Sequence, residues 1–344
     1  MPPAHVRAPG VNHSGGRGTR SASSATPDPR KVHGKVLRFC GPWRLNDVAM
    51  PETIGGAVAV IGDLHSAWEV EDIGYFQRGD YPLLLVTGDL GHSGSNDGRR
   101  IARSFAQLAP QVLVMPGNND ADDYPHIHAE LTYRRARADL LADAVAEGHS
   151  IPPSRESAQL CGYSLHPVEL NGLAFSVVAG RPFSMGGPDL AFSQALARVH
   201  GVHSMRDSTE RLCALVDDAS TEHLVFLAHN GPSGLGVAPE DIWGRDFHPD
   251  AGDWGDADLR DALEHAVQRG KRVLAVVAGH MHWAVAGRAD LHRRWQLQRT
   301  GVLYVNAARV PRVFTHEGRS VRHHVHLELR PSGATAEERL VTDS

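Results

Sequence analysis

From about residue 55 the chain alternates short apolar runs with polar loops. The runs are Ala57–Ile61, Leu83–Val86, Gln111–Met115, Ala174–Ala179, His223–Ala228 and Arg272–Ala278, each continuous and set off by Gly or Pro. Uninterrupted apolar runs of this length predict strands buried on both faces. Stretches of helical character lie between the first three, as at Asp97–Leu108. The resulting strand–loop–helix–strand rhythm predicts an α/β domain built on a layered sheet. Toward the C-terminus the style changes. Val302–Val305 and Val321–Leu329 read as strands, the second alternating at Val321, His323, Val325, Leu327 and Leu329, so the last third adds β structure rather than βα units.

Two interruptions are long. Asp120–Tyr163 reads as a loop, a helix at Arg134–Ala146 and a turn at Pro152–Pro153, whereas Asn230–Asp258 is dense in Gly, Asp, Pro and Trp with no period. Structureless inserts of that size inside a domain are commonly functional loops. There is no internal repeat. Residues 1–35 carry Pro, Gly, Ser, Ala and Arg with Asp28 as the only acid, which predicts a disordered tail or, alternatively, a transit segment. The expected organisation is this tail (1–35), a lead-in segment (36–54), a main α/β domain (55–330) and a C-terminal strand or tail (331–344).

Composition narrows the function classes. The chain has 344 residues, 41% of them apolar, enough for a sizeable core. A formal net charge of −5 argues against general nucleic-acid binding or an anionic membrane surface. No apolar run approaches the roughly 18 residues of a membrane span. Cys40, Cys161 and Cys213 are too few and too scattered for a disulfide framework or a CxxC metal knot, so a reducing compartment is expected. That compartment is the cytoplasm, or the plastid if the tail is a transit peptide. Lysine occurs only at Lys31, Lys35 and Lys271, an Arg excess that reads as codon bias. The 22 histidines matter only where they stand at strand ends beside Gly and Asp.

Those strand ends carry the chemistry. The clusters are Gly62-Asp63-Leu64-His65, Gly88-Asp89, Pro116-Gly117-Asn118-Asn119-Asp120, His229-Asn230-Gly231 and Gly279-His280-Met281-His282. In layered α/β folds, ligands bind outside the carboxyl ends of strands, where such loops meet. Asp63, His65, Asp89, Asn118, His229, His280 and His282 mix hard oxygen with imidazole, a set suited to Mn, Zn or Fe. Seven ligands exceed one tetrahedral ion and match two divalent metals sharing a carboxylate. Two such ions less the charges of Asp63 and Asp89 leave about +2, and a bridging hydroxide lowers this to about +1, still suited to an anionic phosphate ester. Singly, each motif is weak: a Gly-Asp after a strand is usually a turn, and a His-x-His is usually a pair of ordinary histidines. Five in this order, each after a predicted strand, meet the structural context that a metal site demands.

The series Asp63-x-His65, Gly88-Asp89, Gly117-Asn118-x-Asp120, His229 and Gly279-His280-x-His282 resembles the calcineurin-like metallophosphoesterase superfamily over about residues 55–330. The resemblance implies a four-layer α/β/β/α sandwich with a two-metal site at one edge. It implies that Asp63, His65 and His282 hold one metal, that Asn118, His229 and His280 hold the other, and that Asp89 bridges both. Asp63–Tyr75, Gly180–Gly187, His229–Gly236 and Gly252–Leu259 are similar to a narrower branch known from photosynthetic organisms. One position departs. The superfamily usually places His directly after the metal-binding Asn, where it contacts the phosphate; here the residue is Asn119. An amide can donate to a phosphoryl oxygen but has no titratable proton near neutrality, so less dependence on a general acid and a preference for good leaving groups are expected. Some phosphodiesterase relatives carry Cys at that position and remain active. Asp120, which usually orients the missing His, either fixes the Asn119 amide or caps the next segment.

Further candidates lie in the loops. Arg181 is expected to contact a phosphate oxygen, or else to form a surface salt bridge. Ser184, Gly186 and Gly187 offer hydroxyl and backbone donors, or a plain turn. His92 either substitutes for the missing acid or is an exposed loop histidine. Trp243, Asp253 and Trp254 either form a lid or base-stacking surface or pack the insert. The function expected is a metal-dependent phosphoester hydrolase, with hydroxide from a metal-shared water attacking phosphorus in line. Its substrate would be a phosphorylated small molecule or nucleotide-like compound, monoester or diester. The rival is a catalytically weakened metal-binding module that recognises a phosphorylated partner or acts as a scaffold. A mononuclear zinc hydrolase fits poorly, because no HExxH occurs.

Overall fold

The computed structural model describes residues 54–79, 81–128, 130–131, 158–247, 252–288 and 290–342. The expected tail (1–35), the lead-in segment apart from Ile54, the helix expected at Arg134–Ala146 and the Pro152–Pro153 turn lie outside the described residues.

Continuous apolar runs become parallel strands. One sheet is built on β1 (Gly56–Ile61), β2 (Leu83–Val86) and β3 (Gln111–Val114), with β4 (Ala158–Leu160) parallel beside β3. On its other side β12 (Arg319–Arg330) runs antiparallel to β1 and carries β11 (Val313–His316) and β13 (Gly333–Thr342). The second sheet has β6 (Leu173–Ala179), β7 (His223–Leu227), β8 (Arg272–Ala278) and β10 (Val302–Asn306) in parallel. Antiparallel edges β5 (Ser164–Leu170) and β9 (Gln296–Arg299) complete the order β5-β6-β7-β8-β10-β9.

The two-residue period of the strands sorts their side chains into layers. Val58, Val60, Leu85 and Leu113 of the first sheet meet Phe175, Val177, Val225 and Val277 of the second in a shared core between the sheets. On the opposite face of the first sheet, Ala59, Ile61, Leu84 and Val86 pack with Phe76 of helix α1 (Val70–Arg78) and Ile101 and Phe105 of α2 (Asp97–Phe105). On the outer face of the second sheet, Val178, Leu224, Phe226 and Val276 pack with Leu196 of α3 (Ser193–His200), Leu212 and Val216 of α4 (Met205–Asp218) and Leu259 and Ala262 of α5 (Ala257–Gln268). The layers are helix, sheet, sheet, helix, the four-layer sandwich that the resemblance implies. Burial of each such side chain stabilises the fold by about 1.5–3 kcal/mol.

Some boundaries differ from expectation. The helix read as Asp97–Leu108 ends at Phe105, where Gln107 and Leu108 close a tighter turn onto Ser104 and Phe105. Within the segment expected as a strand or tail, Gly333–Thr342 form β13, which pairs with β12 from Val321↔Thr342 to Arg330↔Gly333. The described part of the insert Asn230–Asp258 is tied by the bridges Pro232↔Asp256 and Gly244↔Asp253, and its end begins α5. Among the described residues no helix is long and apolar enough to cross a membrane.

Candidate metal centre

The loops after β1 and β2 are zipped together by backbone bonds. His65 N–H donates to the Asp89 carbonyl at 2.8 Å and Ser66 N–H to the Leu90 carbonyl at 2.9 Å. Leu64, only 1% exposed, anchors the first loop in the outer core. The backbone turns sharply at the ligands themselves: His65 (φ 40°), Asp89 (φ 49°) and His280 (φ 66°) all lie in the left-handed region. That conformation costs a non-glycine residue on the order of 1 kcal/mol or more, and such strain collects at functional sites. Two glycines allow the loops to close in. A Cβ on Gly117 would collide with Asp89 Oδ1, and one on Gly279 would collide with Asp63 Oδ1.

Six side chains from the two sheets converge in this way, and the His280 ring adjoins them, its centroid 5.0 Å from that of His229. Asp63 is buried, accepts from His280 N–H at 3.0 Å, and lies 3.6 Å from His282 Nε2. His65 Nε2 and His282 Nε2 face each other at 3.1 Å. The Asp89 carboxylate stands between two histidines, with Oδ2 3.6 Å from His65 Nε2 and Oδ1 3.5 Å from His229 Nε2. Asn118 Oδ1 lies 2.9 Å from His229 Nε2. Two triads, Asp63/His65/His282 and Asp63/Asp89/His229, have ligand atoms all within 4.8 Å of one another.

Outer partners set the tautomers. His229 Nδ1 is 2.6 Å from the Thr87 carbonyl, which can only accept, so Nδ1 carries the proton; when the ring is neutral, its Nε2 turns a lone pair toward Asn118 and Asp89. His280 Nε2 donates in the same way to the Met185 carbonyl at 3.1 Å, leaving its lone pair on Nδ1. With both rings neutral, acceptors face acceptors, an arrangement that repels unless a cation lies among them. The donor set fits divalent metal.

The ionisation of the groups follows the same field. Burial alone would depress His229, yet Asp89 and Asp63 outweigh it and hold its pKa above the ordinary value. Burial likewise opposes the charge on His282, and its bond to Asp63 raises it instead. Asp63 is resisted by burial, but His282 and His229 hold it well below the usual carboxylate range. His280 is pushed down to about 3 by burial and then by His229.

Other expected residues sit elsewhere or serve differently. Asn119 does not present its amide freely: its backbone N–H donates to Asp89 Oδ1 at 2.9 Å and its Nδ2 to Asp89 Oδ2 at 2.7 Å. It orients the carboxylate, while also lining the cavity above the ligands. Asp120 makes neither a bond to the Asn119 amide nor a cap on a following helix. It accepts from Gly117 N–H at 2.8 Å and Leu90 N–H at 3.0 Å, closing its own turn and joining it to the Asp89 loop. Burial and then Asp89 push its pKa up to about 7.

Arg181 is a correction. Its side chain is fully buried, bound to Asp256 at 2.7 Å and Asp258 at 2.9 Å, and is absent from the cavity wall; two internal carboxylates hold it in place of a phosphate or a surface partner. Ser184 is likewise buried and donates to Asp256 at 2.7 Å. Gly186 and Gly187 form a tight turn against Trp254, with Gly187 N–H bonded to the Trp254 carbonyl. His92 is exposed, with its ring centroid 5.3 Å from that of His65 and outside the cavity lining. Trp243 is core, with Nε1 on the Gly279 carbonyl, and Asp253 ties the turn at Gly255 at 2.9 Å. Trp254 lines the cavity. The sequence reading passed over Thr87 and the Met185 carbonyl. The Thr87 hydroxyl, 3.4 Å from Asp63 Oδ1, was detectable from its place between β2 and Gly88-Asp89, whereas nothing local marks the Thr87 and Met185 carbonyls that meet the histidines.

Comparison with known proteins gives the class. The family model for calcineurin-like phosphoesterases matches residues 56–304, and the chain belongs to that family. Among solved structures, the chain is similar to Vacuolar Protein Sorting 29 from Cryptosporidium parvum (12% identity, TM-score 0.30, covering 84% of this chain and 100% of that one). It is also similar to Vps29 from Chaetomium thermophilum (12% identity, TM-score 0.24, covering 84% and 95%). No curated protein matches it.

Proposed function

We propose that the protein is a metal-dependent phosphoester hydrolase whose centre holds two divalent cations. One group of ligands would be Asp63, His65 and His282, the other Asn118, His229 and His280, with Asp89 shared. When bound, such cations act as Lewis acids and bring the pKa of water toward neutrality, which suits in-line attack on phosphorus. The chain's own residues prepare that chemistry. Thr87 and Met185 fix the tautomers of His229 and His280. Asn119 aligns both oxygens of Asp89 and brings no titratable proton, so the leaving group departs without a general acid from this position. Good leaving groups and diesters suit such a site best.

The observation that carries this reading is the convergence of His229 Nε2, Asn118 Oδ1 and Asp89 Oδ1, with His229 Nδ1 tied to the Thr87 carbonyl. The test is turnover of 4-nitrophenyl phosphate and bis(4-nitrophenyl) phosphate by protein supplied with Mn. Activity that a chelator abolishes supports the hydrolase, and chelator-insensitive hydrolysis contradicts it. Asn119, which is committed to Asp89, favours a second reading, a metal-retaining recognition module. Metal uptake without turnover of either ester would select that reading.

A further inference from the structure

The centre opens into a cavity of about 460 Å³, within the size range of small-molecule sites and larger than a phosphoryl group needs. His65, Asp89, His280 and His282 line one part of it; Met185, Phe247 and Trp254 line another. Phe247 is 58% exposed and Met185 45%. The other large exposed apolar side chains among the described residues are Val and Leu, and none of those lines this cavity.

This apolar wall is rigidly tied to the ligands. Trp254 Nε1 donates to the Met185 carbonyl at 2.7 Å, and the same oxygen accepts from His280 Nε2 at 3.1 Å. Phe247 stands edge-on to Trp254, with centroids 5.1 Å apart and planes at 85°. A Cβ on Gly187 would come within 2.9 Å of the Trp254 ring, so the glycine turn is what lets the indole lie there. Charge selects the occupant. No Arg or Lys lines the cavity, and Asp246 adds a carboxylate whose Oδ2 is held by Arg293 at 2.8 Å and Ala286 N–H at 2.9 Å. Arg245 lies over the Trp254 ring, 5.3 Å from its centroid and outside the cavity lining, so within the cavity a neutral ring would meet the Met185 sulfur and the Phe247 face.

We propose that Phe247 and Met185, backed by Trp254, form a subsite that seats a planar aromatic group of the phosphoester beside the metal centre. This rests on the hydrolase reading and names its substrate class: esters carrying an aryl ring or a nucleobase. Stacking of one ring on such a wall is expected to strengthen binding about tenfold.

The test uses non-hydrolysable phosphonates, titrated calorimetrically into the full-length protein loaded with Mn. Phenylphosphonate should bind about tenfold more tightly than methylphosphonate. Phe247→Ala should bring the two within about twofold, and Val237→Ala, exposed elsewhere, should leave the preference intact. A nucleoside phosphonate that binds at least as tightly as phenylphosphonate identifies a nucleobase as the natural group; one that binds more weakly identifies an aryl ester. Equal binding of methyl- and phenylphosphonate overturns the subsite and leaves the hydrolase reading standing. Binding of neither overturns both.

Discussion

Asn119 spends both its backbone and its side-chain donor on Asp89, so its removal should be felt first in metal affinity. Losing an outer partner of a ligating carboxylate typically weakens metal binding 10–100-fold. Asn119→Ala should show that loss in a Mn titration. Its kcat profile should lack an alkaline limb from a general acid, as should that of the parent; an alkaline limb that is present in the parent and vanishes in the variant would contradict this role. His324 governs a separate property. It is buried against Tyr81, and burial and then His323 push its pKa down to about 3 from the ordinary 6.5. Above pH 6.5 the ring is neutral in both states. Between about 6.5 and 3 the unfolded chain binds a proton that the folded chain refuses, so stability falls as pH drops through that window. One such group contributes a slope of up to about 1.4 kcal/mol per pH unit. Urea unfolding of His324→Gln across pH 7 to 4 should show a shallower decline than the parent; an equal slope would show that His324 is not the titrating group.

At the level of elements, the turn after β6 is held by charge. Arg181 is bound to Asp256 and Asp258, and Ser184 donates to Asp256. Removing the cation leaves two buried carboxylates without a countercharge, a change that typically costs about 3–5 kcal/mol. Arg181→Met should lower the urea midpoint accordingly, whereas a phosphate-binding role would leave stability intact and raise KM. The sequence could not reveal this pairing, since the partners lie 75 and 77 residues away. Strands were legible by position in the sheet. Central parallel strands are apolar on both faces and stood out as continuous runs. The edges β4, β5, β9 and β11 did not: Pro167 interrupts β5, and β9 reads Gln-Leu-Gln-Arg, because an edge strand shows one side to water. The seven proposed ligands were legible for the complementary reason, since each follows a central strand and needs only its own loop to reach the shared edge.

The strands of the described residues form two sheets whose loops meet at one centre. Asp63, His65, Asp89 and Asn118 follow strands of the first sheet, and His229, His280 and His282 follow strands of the second. Cations held there would tie the sheets together and bind only the folded chain. At a free concentration 100 times Kd they should add about 2.7 kcal/mol of stability. Thermal unfolding with and without Mn should show a clear rise in Tm for the parent and none for Asp63→Ala. The central claim is that these dispersed donors grip a pair of metals, and its most direct test is a count of ions per chain. Native mass spectrometry of protein equilibrated with Mn should find two ions on the parent and fewer than two on Asp89→Ala with the fold intact. A parent chain that takes up no ions, or an Asp89→Ala chain that retains both, would contradict it.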